Sequence, residues 1–202
     1  MQPAHSVDRG GALATMTVQS PSAAHMVVDG RSILNFSGSS YLGLSGTPEM
    51  PSAAMHAVQA YGSTCQLPRH YGFELGANVE VEAAARAFSD VEGELYFGTG
   101  YLFGQIALSA LASDYDVAVQ DECAHYNLHD GAAVAGKTVV RFRHLDADDL
   151  ARMVEQVVRE DKRPLVATDG MFPTYGVAAP LKRYRDILDD YGGWVLADTR
   201  PS

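Results

Sequence analysis

Cysteine, tryptophan and lysine are all scarce in this chain. Two cysteines in 202 residues, Cys65 and Cys123, form neither a CxxC pair nor a disulfide framework. Nothing in the sequence therefore requires an oxidising compartment. There is one tryptophan, Trp194, and the lysines are Lys137, Lys162 and Lys182. No apolar run is long enough to span a bilayer. The first residues, MQPAHSVDRGGALATMTVQSPSAAH, lack the apolar centre of a signal peptide. A cytoplasmic protein without membrane association is expected. Several motifs are missing as well. There is no GxGxxG and no GK[ST], so neither a dinucleotide fingerprint nor a P-loop is present.

What is present is acidic and apolar. The formal net charge is −10, which argues against nucleic acid as a partner. Hydrophobic residues make up 47% of the chain, enough for a sizeable core. Residues 1–30 read as a mobile tail and 31–61 as an arm and helix. Residues 62–202 read as one large α/β domain.

Strands and helices alternate along that domain. Expected strands are Ser32–Phe36, Glu94–Phe97, Asp116–Gln120, Val139–Phe142, Leu165–Thr168 and a last one ending at Asp198. Expected helices are Glu49–Tyr61, Leu102–Leu111 and Tyr126–Ala135. Two more are marked by apolar stripes: Val81, Ala84, Ala85 and Phe88, and Leu150, Met153, Val154, Val157 and Val158. Asp146 is the expected N-cap of the second stripe. Pro180 opens a further helix, and Gly192 and Gly193 close it. Such alternation specifies right-handed crossovers and a mostly parallel sheet in a three-layer α/β/α arrangement.

The chemistry-bearing residues follow strands. Gly100, His125, Gly170 and Asp198 therefore collect at the carboxyl edge of one sheet, where open α/β sheets bind ligands. GTGY lies between a strand and a helix, so its backbone amides and the helix dipole suit an anion; a plain tight turn fits the same residues. His125 can stack on a flat ring or carry protons. Asp121, Cys123, His125 and His129 invite a zinc reading. However, Tyr126 stands where HExxH needs its glutamate, and no metal site is expected. A carboxylate at Asp198 would keep a pyridinium nitrogen protonated. It stands four residues before Ser202, which suggests the front part of a longer enzyme.

These segments, taken in order, resemble the α-oxoamine synthase family of fold type I pyridoxal-phosphate enzymes. The resemblance is carried by NFSGSSYLGL, GSTCQLPR, VEVEAAARAF, ELYFGTGY, DECAHYNLHDG, FRHLDADDL, TDGMFPTYGVAAPL and WVLAD, over roughly residues 31 to 198. It implies the large domain of such an enzyme and pyridoxal 5'-phosphate as cofactor. It also implies a decarboxylative condensation of a small amino acid with an acyl thioester, carried by coenzyme A or an acyl carrier protein. The family works as a homodimer. Gly100 and Tyr101 would give backbone amides to the cofactor phosphate. His125, the candidate catalytic residue, would stack on the ring, and Asp198 would pair with the ring nitrogen. Ser40, Phe73, Pro173 and Pro201 depart from the family's motifs. Lys137, Lys162 and Lys182 lie in segments other than the one that carries the family's cofactor-linking lysine. An inactive chain is thus expected in isolation, with a noncatalytic ligand- or subunit-binding protein or a fold type I aminotransferase as alternatives.

Overall fold

A computed structural model describes residues 16–20, 24–36, 40–63 and 69–199. The chain divides into two compact units, Met1–Tyr96 and Phe97–Ser202.

The first unit holds a small antiparallel sheet and two helices. Its strands are β1 (Val18–Gln19), β2 (His25–Val28) and β3 (Arg31–Leu34), in that order. β2 and β3 are joined by Asp29–Gly30, with φ of 47° and 78°. Positive φ at both central residues gives the tight hairpin turn for which Asp-Gly is suited. Two of these strands fall in the stretch expected to be a mobile tail, because a two-residue hairpin signal is easily passed over among polar residues. The expected strand Ser32–Phe36 is displaced to Arg31–Leu34 by the register of that hairpin. α1 (Glu49–Tyr61) matches expectation, and α2 (Gly76–Ser89) carries the Val81–Phe88 stripe.

α2 also buries an acid. Glu82 is 7% exposed. Arg69 donates to both its oxygens, at 2.7 and 3.0 Å, and the Tyr96 amide donates at 2.6 Å. The Arg69 bonds first, then the amide, hold the Glu82 carboxyl at about 2.

The second unit is a parallel sheet with helices on both faces. Its strands are β4 (Val117–Asp121), β5 (Thr138–Phe142), β6 (Pro164–Asp169) and β9 (Trp194–Asp198), ordered β5-β4-β6-β9. Between the last two runs a short hairpin, β7 (Met171–Phe172) with β8 (Val177–Ala178). The helices are α3 (Phe103–Ala110), α4 (Tyr126–Val134), α5 (Ala147–Arg159) and α6 (Leu181–Asp189). Alternation along the strands sorts two cores. Val117, Val119 and Val166 face Leu150, Val154, Tyr184 and Leu188 of α5 and α6. Ala118, Leu165 and Ala167 face Leu108, Leu128 and Ala132 of α3 and α4. Asp146 caps α5 as expected, accepting from the Asp149 amide at 2.9 Å.

One expected strand does not form: Glu94–Phe97 pairs with no strand among the described residues, and Leu95 and Tyr96 are exposed. A short apolar run alone does not make a strand; the backbone needs a lateral partner. Here the Tyr96 amide bonds to Glu82 instead.

Candidate functional site

Three of the four parallel strands end in aspartate: Asp121 on β4, Asp169 on β6 and Asp198 on β9. All three are at most 5% exposed; Asp121 accepts from amides of the loops after β4 and β5, whereas Asp169 and Asp198 both bond to the segment after β4. Asp169 and Asp198 are register partners across β6 and β9.

The loop after β4 is held to these carboxylates. The His125 amide donates to Asp169 Oδ2 at 3.0 Å. His125 is the N-cap of α4: according to its tautomer, its Nδ1 accepts from the Asn127 amide at 3.3 Å or donates to Asn127 Oδ1 at 2.8 Å. The fully buried Asn127 turns its Nδ2 to Asp198 Oδ2 at 3.2 Å. Asn127 thus ties the histidine ring to the Asp198 carboxylate.

The turn at the start of α3 joins the same group. Gly100–Leu102 form one 3₁₀ turn leading into the helix, with the Leu102 amide bonded to the Thr99 carbonyl at 3.3 Å. The Gly100 and Tyr101 amides stand ahead of that bond, at the helix end that favours anions. The Tyr101 ring lies 5.6 Å from Tyr126, which stacks on His125 at 4.1 Å. The Tyr101 hydroxyl donates to Asp130 at 2.8 Å, and this carboxylate raises the phenol's pKa.

α3 and α4 are set together by glycine. A Cβ on Gly104 would stand 2.2 Å from the Asn127 carbonyl oxygen, and one on Gly131 would stand 2.4 Å from Gly104. Any side chain at either position would drive the Gly100–Leu102 turn away from Asn127.

A cleft of about 290 Å³ opens here, lined by Cys123, Ala124, His125, Tyr126, Asp169 and residues Phe172–Tyr175 of the β7–β8 hairpin. Asp198 does not line it and reaches it through Asn127. Burial, followed by the nearby Asp198 charge, raises the Asp169 carboxyl to about 6, against the His125 amide bond, which lowers it.

Gly100, Tyr101, His125 and Asp198 are therefore drawn into one network. His129 lies beside Asp130 at 3.9 Å and away from Asp121 and Cys123. Spacing did not single out Asn127 or Asp169. Asn127 was hidden as a spacer inside HYNLH, and Asp169 was overlooked beside Gly170. The recurring terminal aspartate in VAVQD, PLVATD and WVLAD was the available signal.

The profile of aminotransferase class I and II matches residues 31–199. Over 181 residues the chain is 32% identical to an 8-amino-7-oxononanoate synthase of Nitrosomonas europaea, covering 90% of this chain and 46% of that protein. It is 29% identical to the one from Symbiobacterium thermophilum, with the same coverage. Among solved structures, SPT with PLP superposes with a TM-score of 0.82 at 27% identity, over 91% of this chain and 46% of that one. The serine palmitoyltransferase of Sphingomonas wittichii gives 0.80 at 25% identity, over 96% and 46%. The chain spans about half the length of the proteins it matches.

Proposed function

From the membership of this chain in the class I and II aminotransferase family, on its α-oxoamine synthase branch, we infer that it is the pyridoxal 5'-phosphate-binding portion of an acyltransferase that condenses an amino acid with an acyl thioester. The observation that carries this reading is the continuous contact path from the Gly100–Tyr101 turn through Tyr126, His125 and Asn127 to Asp198.

The donor set fits the cofactor. Its phosphate needs amides at a helix start, which Gly100 and Tyr101 supply. Its ring needs a flat neighbour, which the His125 imidazole supplies at the cleft wall. Its ring nitrogen needs a carboxylate, and the one assigned to it is Asp198, the buried strand-end acid whose Oδ2 Asn127 holds. When bound, pyridoxal phosphate supplies a protonated aromatic ring that accepts the electron pair released at the substrate's α-carbon.

The protein's own part is positioning and charge. Asp198 holds the proton on the ring nitrogen. Asn127 sets the angle between that carboxylate and the His125 ring. Asp169 holds the backbone at His125, so the imidazole covers one side of the cleft and keeps water from it. The first turn of α3 fixes the phosphate end with its dipole.

Each lysine is engaged away from the cleft. Lys137 donates to the Tyr115 carbonyl at 2.8 Å, Lys162 pairs with Glu160 and Lys182 pairs with Asp186. The 202-residue polypeptide on its own accordingly binds the cofactor without a covalent link and yields no condensation product. A second copy of the chain and the acyl thioester are partners of the complete site. No helix among the described residues is long and apolar enough to cross a membrane.

The test is a titration of the purified chain with pyridoxal phosphate, followed by borohydride reduction and mapping by mass spectrometry. Saturable binding without a stoichiometric lysine adduct is expected. A stoichiometric adduct on Lys137, Lys162 or Lys182 together with aminoketone formation would overturn the noncovalent reading. Failure to saturate would remove the cofactor assignment itself.

A further inference from the structure

Asp121, at the end of β4, meets two side chains that the cofactor path does not use. Cys123 lies two residues on, and His144 follows β5. One donor atom from each, a carboxylate oxygen, the sulfur and a ring nitrogen, all lie within 4.8 Å of one another. The geometry points to a binding site for a divalent metal ion of the zinc class at Asp121, Cys123 and His144.

The carboxylate is prepared for such a role. The Asp121 side chain is fully buried. The amides of Cys123 and Leu145 donate to its two oxygens, each at 2.9 Å, and orient it. His144 Nδ1 stands 2.9 Å from Oδ1. The ring itself is held edge-on by Phe172 at 4.5 Å and tilted against Tyr175 at 4.9 Å. Zinc bonds of about 2.0–2.3 Å put tetrahedral donors roughly 3.3–3.8 Å apart. Rotation of the Cys123 side chain and a small opening of the Asp121–His144 contact reach that spacing.

Charge and proton counts agree. A carboxylate and a thiolate together cancel a dication, so the loaded site is neutral, as a buried site requires. The Cys123 thiol proton leaves to solvent. The ion takes the place of the His144 Nδ1–Asp121 Oδ1 contact; Nδ1 binds it through its lone pair, and the neutral ring's one proton sits on Nε2, passing there through solvent if it starts on Nδ1. That nitrogen is buried and has no hydrogen-bond partner among the described residues. The mixed sulfur, nitrogen and oxygen donors select zinc over magnesium or calcium.

A fourth position faces the cleft. The Tyr175 hydroxyl lies 3.7 Å from Cys123 Sγ, and both residues line the cleft. Either this hydroxyl or a water completes the tetrahedron. Spacing alone invites Asp121, Cys123, His125 and His129, and no metal is expected from the sequence; the fold instead brings His144, from the loop after β5, to Asp121 and Cys123.

The experiment uses the full chain without pyridoxal phosphate, so its outcome is independent of the cofactor reading. The chain is stripped with chelator, loaded with zinc chloride, dialysed and analysed for metal. Cobalt(II) in place of zinc reports sulfur ligation through its thiolate charge-transfer band. One zinc per chain and a cobalt–thiolate band are expected. In Cys123→Ser the band should vanish and zinc affinity fall at least about tenfold, with the apo melting temperature unchanged. His144→Gln should lose zinc while keeping the thiol. If that variant does not fold, Cys123→Ser alone decides. Absence of retained zinc in the wild type, or equal retention in Cys123→Ser, would overturn the site.

Discussion

At the residue scale, several acids are buried, and each has a different neighbour. Asp198→Asn keeps the shape and the acceptor for Asn127 but removes the charge. Charge-assisted hydrogen bonds contribute roughly 1.5–3 kcal/mol, so pyridoxal phosphate should bind about 10- to 150-fold more weakly. Titration by ring absorbance reads this directly, and an unchanged affinity would remove Asp198 from the ring nitrogen. Glu82 in the first unit gives a pH dependence. Its carboxyl is depressed from the ordinary 4.5 to about 2 by Arg69 and the Tyr96 amide. Its contribution to stability is complete above pH 4.5 and is lost as the pH falls toward 2. The melting temperature of Arg69→Gln should be lower at neutral pH and flatter than wild type across that window; parallel curves would show that the ion pair does not set the slope. Asp169 runs the other way. Its raised value means that ionisation between its ordinary range and about 6 costs stability as the pH rises. Asp169→Asn, which still accepts from the His125 amide, should lose that decline in a series of melts.

At the scale of elements, the contact between α3 and α4 governs the site. Gly104→Ala places a methyl against the Asn127 carbonyl, which is backbone and cannot rotate aside. Overpacking of this kind costs typically 1–3 kcal/mol, so the urea midpoint should fall and cofactor affinity with it. A variant with wild-type midpoint and affinity would show that the helices part freely. The same contact shows what the sequence could disclose. The helices and four parallel strands were legible because apolar periodicity reports burial, and burial is what packing demands. The strand expected at Glu94–Phe97 carried the same local pattern but found no partner. The Asp29–Gly30 hairpin and the β7–β8 hairpin were too short for periodicity to register. His125 and Asp198 were legible as residues that follow strands. Asn127, Asp169 and His144 were not, because their roles depend on which distant loop each strand end meets.

At the scale of the whole molecule, the chain forms two compact units. The unit Phe97–Ser202 gathers the Gly100–Leu102 turn, the His125 imidazole and three strand-terminal acids. The unit Met1–Tyr96 is held by Glu82, Arg69 and a three-stranded hairpin sheet. The order β5-β4-β6-β9 also sets a clock. No strand of the parallel sheet can pair until the helix that separates it from its neighbour in sequence has crossed over. β4 must wait for both β5 and β6, whereas α3 and α4 are close in the chain and meet early. Refolding should therefore bring Gly104 against Gly131 before the aspartates line up, with the sheet closing in milliseconds to seconds as non-local pairings do. During that interval the apolar strands are open to other chains, and the yield of soluble protein is decided by how quickly β4 finds its place.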